Sequence, residues 1–138
     1  MTEPEAGPFP GGPVLALADD DPAFRRLVRR IAEPIGWEVR EFANGAELLD
    51  GLDKGRAPWL IILDILMPDK DGIETVQSLV ERDTVYHIAI VTGGNMVFAS
   101  VVQYLSEGSE TKIVSVLQKP LPVQEIRDLL ETVTAHYA

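Results

Sequence analysis

The sequence predicts an α/β domain, a parallel sheet with helices on both faces. Short aliphatic runs alternate with amphipathic segments five times along the chain, a repetition that implies a parallel sheet with right-handed crossovers. Two runs, Val14 to Ala18 and Trp59 to Leu63, are continuously apolar, as strands covered on both faces must be. Acidic, hydroxyl and basic residues stand directly behind these runs, at the sheet edge where such folds bind ligands.

In chain order, Val14 to Ala18 is the first strand. Pro22 to Glu33 is the first helix, with Phe24, Leu27, Val28 and Ile31 at helical spacing and Arg25, Arg26, Arg29 and Arg30 on the other face. Asp21 before Pro22 reads as its N-cap, with proline at the first helical position. Trp37 to Phe42 alternates like a strand, and Gly45 to Lys54 is a short helix ended by Gly55. Trp59 to Leu63 is the third strand, with Trp59 expected to pack at the sheet's far end. Ile73 to Arg82 is the third helix; Asp71 and Gly72 ahead of it read as a cap and a tight turn. Tyr86 to Val91 is strand, Asn95 to Glu107 a markedly apolar helix, Ile113 to Leu117 strand and Val123 to His136 the last helix. Residues 1–13, MTEPEAGPFPGGP, hold four prolines, three glycines, two acids and no base, and are expected to be a disordered tail before one domain over 14–138.

The bulk properties narrow the function. A chain of 138 residues, 46% hydrophobic and 25% charged, is long enough to bury a good core. No apolar run approaches the roughly 20 residues of a membrane-spanning helix. The N-terminus lacks the basic start and apolar stretch of a signal peptide, so a cytoplasmic location is expected. With no cysteine, disulfides, thiolate chemistry and Cys-ligated metals are excluded. A formal net charge of −10 argues against nucleic-acid binding. The two histidines, His87 and His136, lie too far apart in sequence to suggest a histidine metal site.

The polar residues behind the strands are selective. The first strand is followed by Asp19, Asp20 and Asp21, the third by Asp64, the fourth by Thr92, Gly93 and Gly94, and the fifth by Gln118, Lys119 and Pro120. The second, ending at Phe42, contributes nothing comparable, as expected of an edge strand. An unpaired buried carboxylate is costly, and clustered Asp19, Asp20 and Asp64 need more cation than Lys119 supplies. A hard divalent ion with oxygen ligands meets that need, and Mg²⁺ suits a site of few carboxylates and several waters. Asp64 is then a candidate nucleophile toward phosphorus, with Lys119 and the Thr92 hydroxyl stabilising the transferred charge. Gly93 and Gly94 leave room for the phosphoryl group.

From about Val14 to Tyr137 the chain resembles the receiver domains of bacterial two-component response regulators. ADDDP resembles the family's acidic pair, LDILMPDKDG its phospho-acceptor segment, VTGG its Ser/Thr position and QKP its Lys-Pro, in the family's order and spacing. The resemblance implies a flavodoxin-like five-stranded parallel sheet of order 2-1-3-4-5 with five helices. It implies that Asp64 accepts a phosphoryl group from a histidine kinase or a histidine phosphotransfer protein. Asp19, Asp20, Asp64 and the backbone carbonyl of Leu66 would hold Mg²⁺, Thr92 would report the phosphoryl group, and Lys119 would pair with it. The Lys119–Pro120 bond would be cis. The domain would catalyse only its own phosphorylation and dephosphorylation. An output domain, an effector or a second copy of the chain would dock on the face of the fourth helix, fifth strand and fifth helix. The arginines of the first helix would help to dock the phosphodonor.

Two departures stand out. Val116 occupies the place of the family's aromatic switch residue, and the segment from Gln103 to Lys112 is longer than usual. Leu66 and Gly94 hold the positions that tune acyl-phosphate lifetime, and neither offers a side chain to orient water, which implies slow self-dephosphorylation. Two other functions compete. A haloacid-dehalogenase-like phosphatase also uses an aspartate and Mg²⁺, but needs a second acid two residues after the nucleophile, where this chain has Leu66. A receiver fold acting as a phosphorylation-independent interaction module would not need so complete a set of site residues.

Overall fold

The computed structural model describes residues 11–65, 71–93 and 96–137, and of residues 71 and 96–98 the backbone alone. Five parallel strands, β1 (Val14–Ala18), β2 (Glu38–Phe42), β3 (Leu60–Asp64), β4 (His87–Thr92) and β5 (Lys112–Gln118), form one sheet of order β2-β1-β3-β4-β5. The helices are α1 (Pro22–Ala32), α2 (Gly45–Leu52), α3 (Asp71–Val80), α4 (Met96–Ser106) and α5 (Val123–Tyr137). Fold class is as the sequence predicts, and strand order is as the resemblance implies. Element ends move by at most two residues: Asp64 and Thr92 close their strands rather than follow them, and α3 begins two residues early.

Burial agrees with this order. β1 and β3 are buried along their whole length, and both lie inside the sheet. Alternate residues of each strand feed two cores. Leu15, Leu17, Leu60 and Ile62 pack with Phe24, Val28 and Ile31 of α1 and Ile126 and Leu130 of α5. Ala16, Ile61, Leu63 and Ile90 pack with Leu48 of α2, Val76 and Leu79 of α3 and Val102 of α4. Each fully buried Leu or Ile side chain contributes about 1.5–3 kcal/mol of transfer free energy. That reserve supports a polar cluster at the sheet's edge. The edge strand β5 is only half covered, leaving Val114 exposed.

Local chemistry sets the ends of α1. Asp21 is extended and its carboxylate accepts from the Ala23 N–H at 2.9 Å, with Pro22 opening the helix, the expected cap. The α-helix stops at Ala32, and a 3₁₀ turn over Glu33–Ile35 follows, because Pro34 has no N–H to continue it. Gly36 closes the turn at φ 100°, a left-handed conformation that favours glycine.

At the far end of the sheet Trp59 packs edge-on against Trp37 and Tyr137, as expected for its place ahead of β3. The same end joins the two histidines that their sequence separation kept apart. β4 begins and α5 ends there, so the rings of His87 and His136 lie 5.8 Å apart, and Tyr137 hydrogen-bonds His87 Nδ1. Burial lowers the pKa of His87, and the neighbouring His136 adds to the shift.

Candidate functional site

Backbone pairing places the site residues before any side-chain chemistry does. The Asp19 N–H donates to the Phe42 carbonyl at 3.1 Å, Ile65 N–H to Val91 at 3.0 Å, and Lys119 N–H to Thr92 at 2.8 Å. These bonds fix the chain just where the strands end, so side chains from β1, β3 and the β5–α5 turn meet at one edge. Asp64 is in register with Val91, and Thr92 follows one residue later. The Lys119–Pro120 peptide bond is cis, as the resemblance implies.

Among the described residues, Asp19, Asp20 and Asp64 form the one acidic cluster with metal-ligand spacing, their carboxylate oxygens within 4.8 Å of one another. Asp19 and Asp64 are buried and Asp20 is exposed. Lys119 Nζ lies 2.8 Å from Asp19 Oδ2 and 3.6 Å from Asp64 Oδ2. One ammonium thus faces two buried carboxylates, with a third nearby. Burial pushes the Asp19 carboxyl above the usual carboxylate range, and the Asp64 charge pushes the same way. Lys119 and the Asp21 N–H pull it only part of the way back. Burial also opposes the charge on Lys119, but Asp19 and Asp64 outweigh it and raise the ammonium above its usual range. The asymmetry has a simple cause: the Asp19 side chain is 1% exposed and that of Lys119 is 28% exposed.

This donor set fits a hard divalent cation. Asp19 Oδ2 is buried and, although paired in charge with Lys119, makes no hydrogen bond of good angle. Three carboxylates around one ammonium leave a net negative hollow that oxygen-seeking Mg²⁺ would fill. The Leu66 carbonyl and Gly94 lie outside the described residues.

Several contributors escape a sequence reading. Strand β2 ends in no site residue, as expected of an edge strand, but within it Glu41 pairs with Arg29 Nε at 2.6 Å and Arg25 Nε at 3.2 Å. Burial works against that charge, but the two guanidiniums outweigh it and hold Glu41 below its usual pKa. Arg25 Nη1 in turn donates to the Asp19 carbonyl at 2.6 Å, so an edge strand braces the acidic turn through α1. Half of the arginine cluster is therefore structural, while Arg26 and Arg30 stay exposed. Gly72 lies inside α3 rather than in a tight turn. A Cβ there would meet the Asp64 carbonyl oxygen at 3.0 Å and the Ile65 Cα nearer still, so glycine lets the helix start touch the end of β3. The i, i+1 spacing of Asp71 and Gly72 carries no sign of this contact.

On the neighbouring face, Val116 is partly buried and, like Ile113 and Leu105, packs against the α2–α4 core, at the place where the resembled family has an aromatic. Val101, Tyr104 and Val114 are exposed nearby, Tyr104 by 72%. The side chains of Met96, Val97 and Phe98 lie outside the described residues.

Comparison with known proteins agrees with this geometry. Residues 15–131 match the response regulator receiver domain. The response regulator receiver protein CpdR of Brucella abortus is 34% identical over 119 residues, which cover 85% of this chain and 92% of that protein. The DNA-binding transcriptional regulator NtrC of Escherichia coli is 28% identical over 124 residues, and this chain spans only 25% of its length. A CheY-like receiver domain protein from Methanospirillum hungatei has the same fold, with a TM-score of 0.75, 20% identity, and 91% of this chain and 95% of that one covered.

Proposed function

This chain belongs to the response regulator receiver domain family of two-component systems, and we propose that Asp64 is its phosphoryl acceptor. One observation carries the proposal: a buried carboxylate ends an aliphatic strand with two further carboxylates within 4.8 Å and an ammonium at 3.6 Å. In that setting Asp64 Oδ attacks the phosphorus of a phosphohistidine on a histidine kinase or phosphotransfer protein. A P–O bond forms, the P–N bond breaks, and the leaving imidazole takes up a proton. Lys119 moves from two carboxylates toward the phosphoryl oxygens, and the Thr92 hydroxyl offers them a hydrogen bond. Asp19, Asp20, Asp64 and the Leu66 carbonyl would hold Mg²⁺, which supplies charge neutralisation for the transferred group. The domain, residues 14–138 behind a tail of 1–13, turns over no separate substrate.

The output surface of this reading is the face of α4, β5 and α5, where exposed Val101, Tyr104 and Val114 would meet an output domain, an effector or a second copy. No helix among the described residues is long and apolar enough to cross a membrane. A cytoplasmic site of action, with no nucleic acid or membrane bound by this domain, completes the proposal. The test is incubation with acetyl phosphate and Mg²⁺ followed by intact mass. One added phosphoryl group, absent with EDTA and in Asp64→Asn, is expected. An unchanged mass together with no beryllofluoride binding would leave the phosphorylation-independent interaction module as the better reading.

A further inference from the structure

We infer that Phe24 is a positioning residue for Lys119, holding its ammonium by the face of the ring; the inference rests on the role proposed for Lys119 above. Lys119 Nζ stands over the Phe24 ring, 4.5 Å from its centroid. The ring itself is 9% exposed and fixed among core residues between α1 and α5. It borders a groove of about 480 Å³ lined also by Asp21, Gly93, Lys119 and Pro120, so the ring and the lysine share one hollow.

Lysine reaches this place on a flexible four-carbon stem and carries a point charge with rotatable donors. Its two carboxylate partners are unequal, at 2.8 Å and 3.6 Å, so charge alone draws it toward Asp19 and away from the acceptor. The negative face of an aromatic ring attracts a cation within about 6 Å without fixing the direction of any N–H. Phe24 therefore restrains the position of Nζ while leaving its protons free to turn from Asp19 to a phosphoryl oxygen. A leucine at position 24 would fill the core and offer no such face, which separates this role from packing.

The experiment uses the full chain with Phe24 replaced by 3,4,5-trifluorophenylalanine, nearly the same shape with a weakened face, and with Phe24→Leu and Phe24→Tyr. We expect the fluorinated protein to keep its thermal midpoint within about 2 °C and to be phosphorylated by acetyl phosphate and Mg²⁺ about fivefold more slowly. Phe24→Tyr keeps a π face and should retain most of the rate. The Lys119 ε-methylene protons should be shifted upfield by the ring in the native protein, and Phe24→Leu should abolish that shift. A native rate in the fluorinated protein, or an unshifted ε-methylene in the native one, would overturn the inference. If the native chain gains no phosphoryl group at all, the reading of Asp64 fails, while the ε-methylene shift still decides whether Phe24 holds Lys119.

Discussion

Replacing Gly72 by alanine tests how the acceptor is seated. In an ordinary helix the change stabilises by up to about 1 kcal/mol, since glycine is the poorer helix former. Here the new Cβ would lie 3.0 Å from the Asp64 carbonyl oxygen and the Ile65 carbonyl carbon, and nearer to Ile65 Cα. Ordinary contact begins at 3.4 Å, so the start of α3 must retreat by 3.4 − 3.0 = 0.4 Å at the carbonyl and by more at Ile65. These neighbours are backbone atoms of a ladder strand and its continuation, not side chains that can swing aside. Forced backbone shifts of this kind cost about 1–3 kcal/mol, which outweighs the helix gain. We expect a net loss of about 1–2 kcal/mol, read as a urea midpoint lower by roughly 1 M. Because the strained atoms carry the Asp64 side chain, the acetyl phosphate reaction should slow about tenfold, given how steeply reactivity depends on placement. Gly12→Ala, with nothing within 4 Å of the added carbon, serves as the control. A Gly72→Ala protein as stable as the control and phosphorylated at the native rate would refute the close-approach argument.

Four further outcomes follow from the site and its supports. Mg²⁺ should stabilise the native chain by about 1.4 kcal/mol at tenfold excess over its Kd; an Asp64→Asn protein with the same gain would place the ion elsewhere. Asp19→Asn should raise the urea midpoint in EDTA at pH 7: a carboxyl whose folded pKa is raised stabilises fully below its unfolded value of 3.8 and loses that contribution as pH rises through the folded value. A lower midpoint would count against repulsion and burial as the cause. His87 has a lowered folded pKa, so its contribution is complete above the unfolded value of 6.5 and is lost as pH falls through the folded one. Native stability should therefore fall from pH 7.5 to pH 5.5 by more than that of His87→Gln, measured by urea unfolding with tryptophan fluorescence; equal losses would remove His87 from the account. Glu41→Gln should leave the carboxylates of Asp19, Asp20 and Asp64 intact yet slow phosphorylation by a few-fold, by freeing Arg25 from β2; an unchanged rate would show that the brace does not reach the acidic turn.

Much of the fold was legible because burial writes itself into the sequence. LIILD and VLALA are short, branched apolar runs of strand length, and Val123, Ile126, Leu129, Leu130 and Val133 recur at the spacing of a helix stripe on a core. The cluster of Asp19, Asp64 and Lys119 was legible because strand ends in a parallel sheet share one edge. What stayed hidden depends on contacts between elements distant in sequence. Glu41 looks like one more solvated acid until α1 crosses β2 and sets two arginines against it. Phe24 reads as a core residue, which it is, and nothing in its spacing shows an ammonium above it. The pairing of His87 with Tyr137 needs the end of α5 to return to the start of β4, which only the closed fold provides.

The placement of the charges explains why this edge can be both unstable and useful. Three backbone hydrogen bonds, from Asp19, Ile65 and Lys119, hold the ends of β1, β3 and β5 in place whatever the side chains prefer. The sheet can then force Asp19, Asp20 and Asp64 together against their mutual repulsion, because the two aliphatic cores on its faces more than offset that cost. Asp19, in the turn after β1, is kept from relaxing toward water by its N–H bond to the Phe42 carbonyl and by the Arg25 bond to its own carbonyl. The same rigidity means that a charge added at Asp64 cannot be absorbed by spreading the acids apart. The response must come from groups at the rim that are free to turn. Lys119 on its flexible stem is one. Val116 packs on the α2–α4 core where the resembled family carries an aromatic, so a charge added at Asp64 would meet no ring on β5 to move.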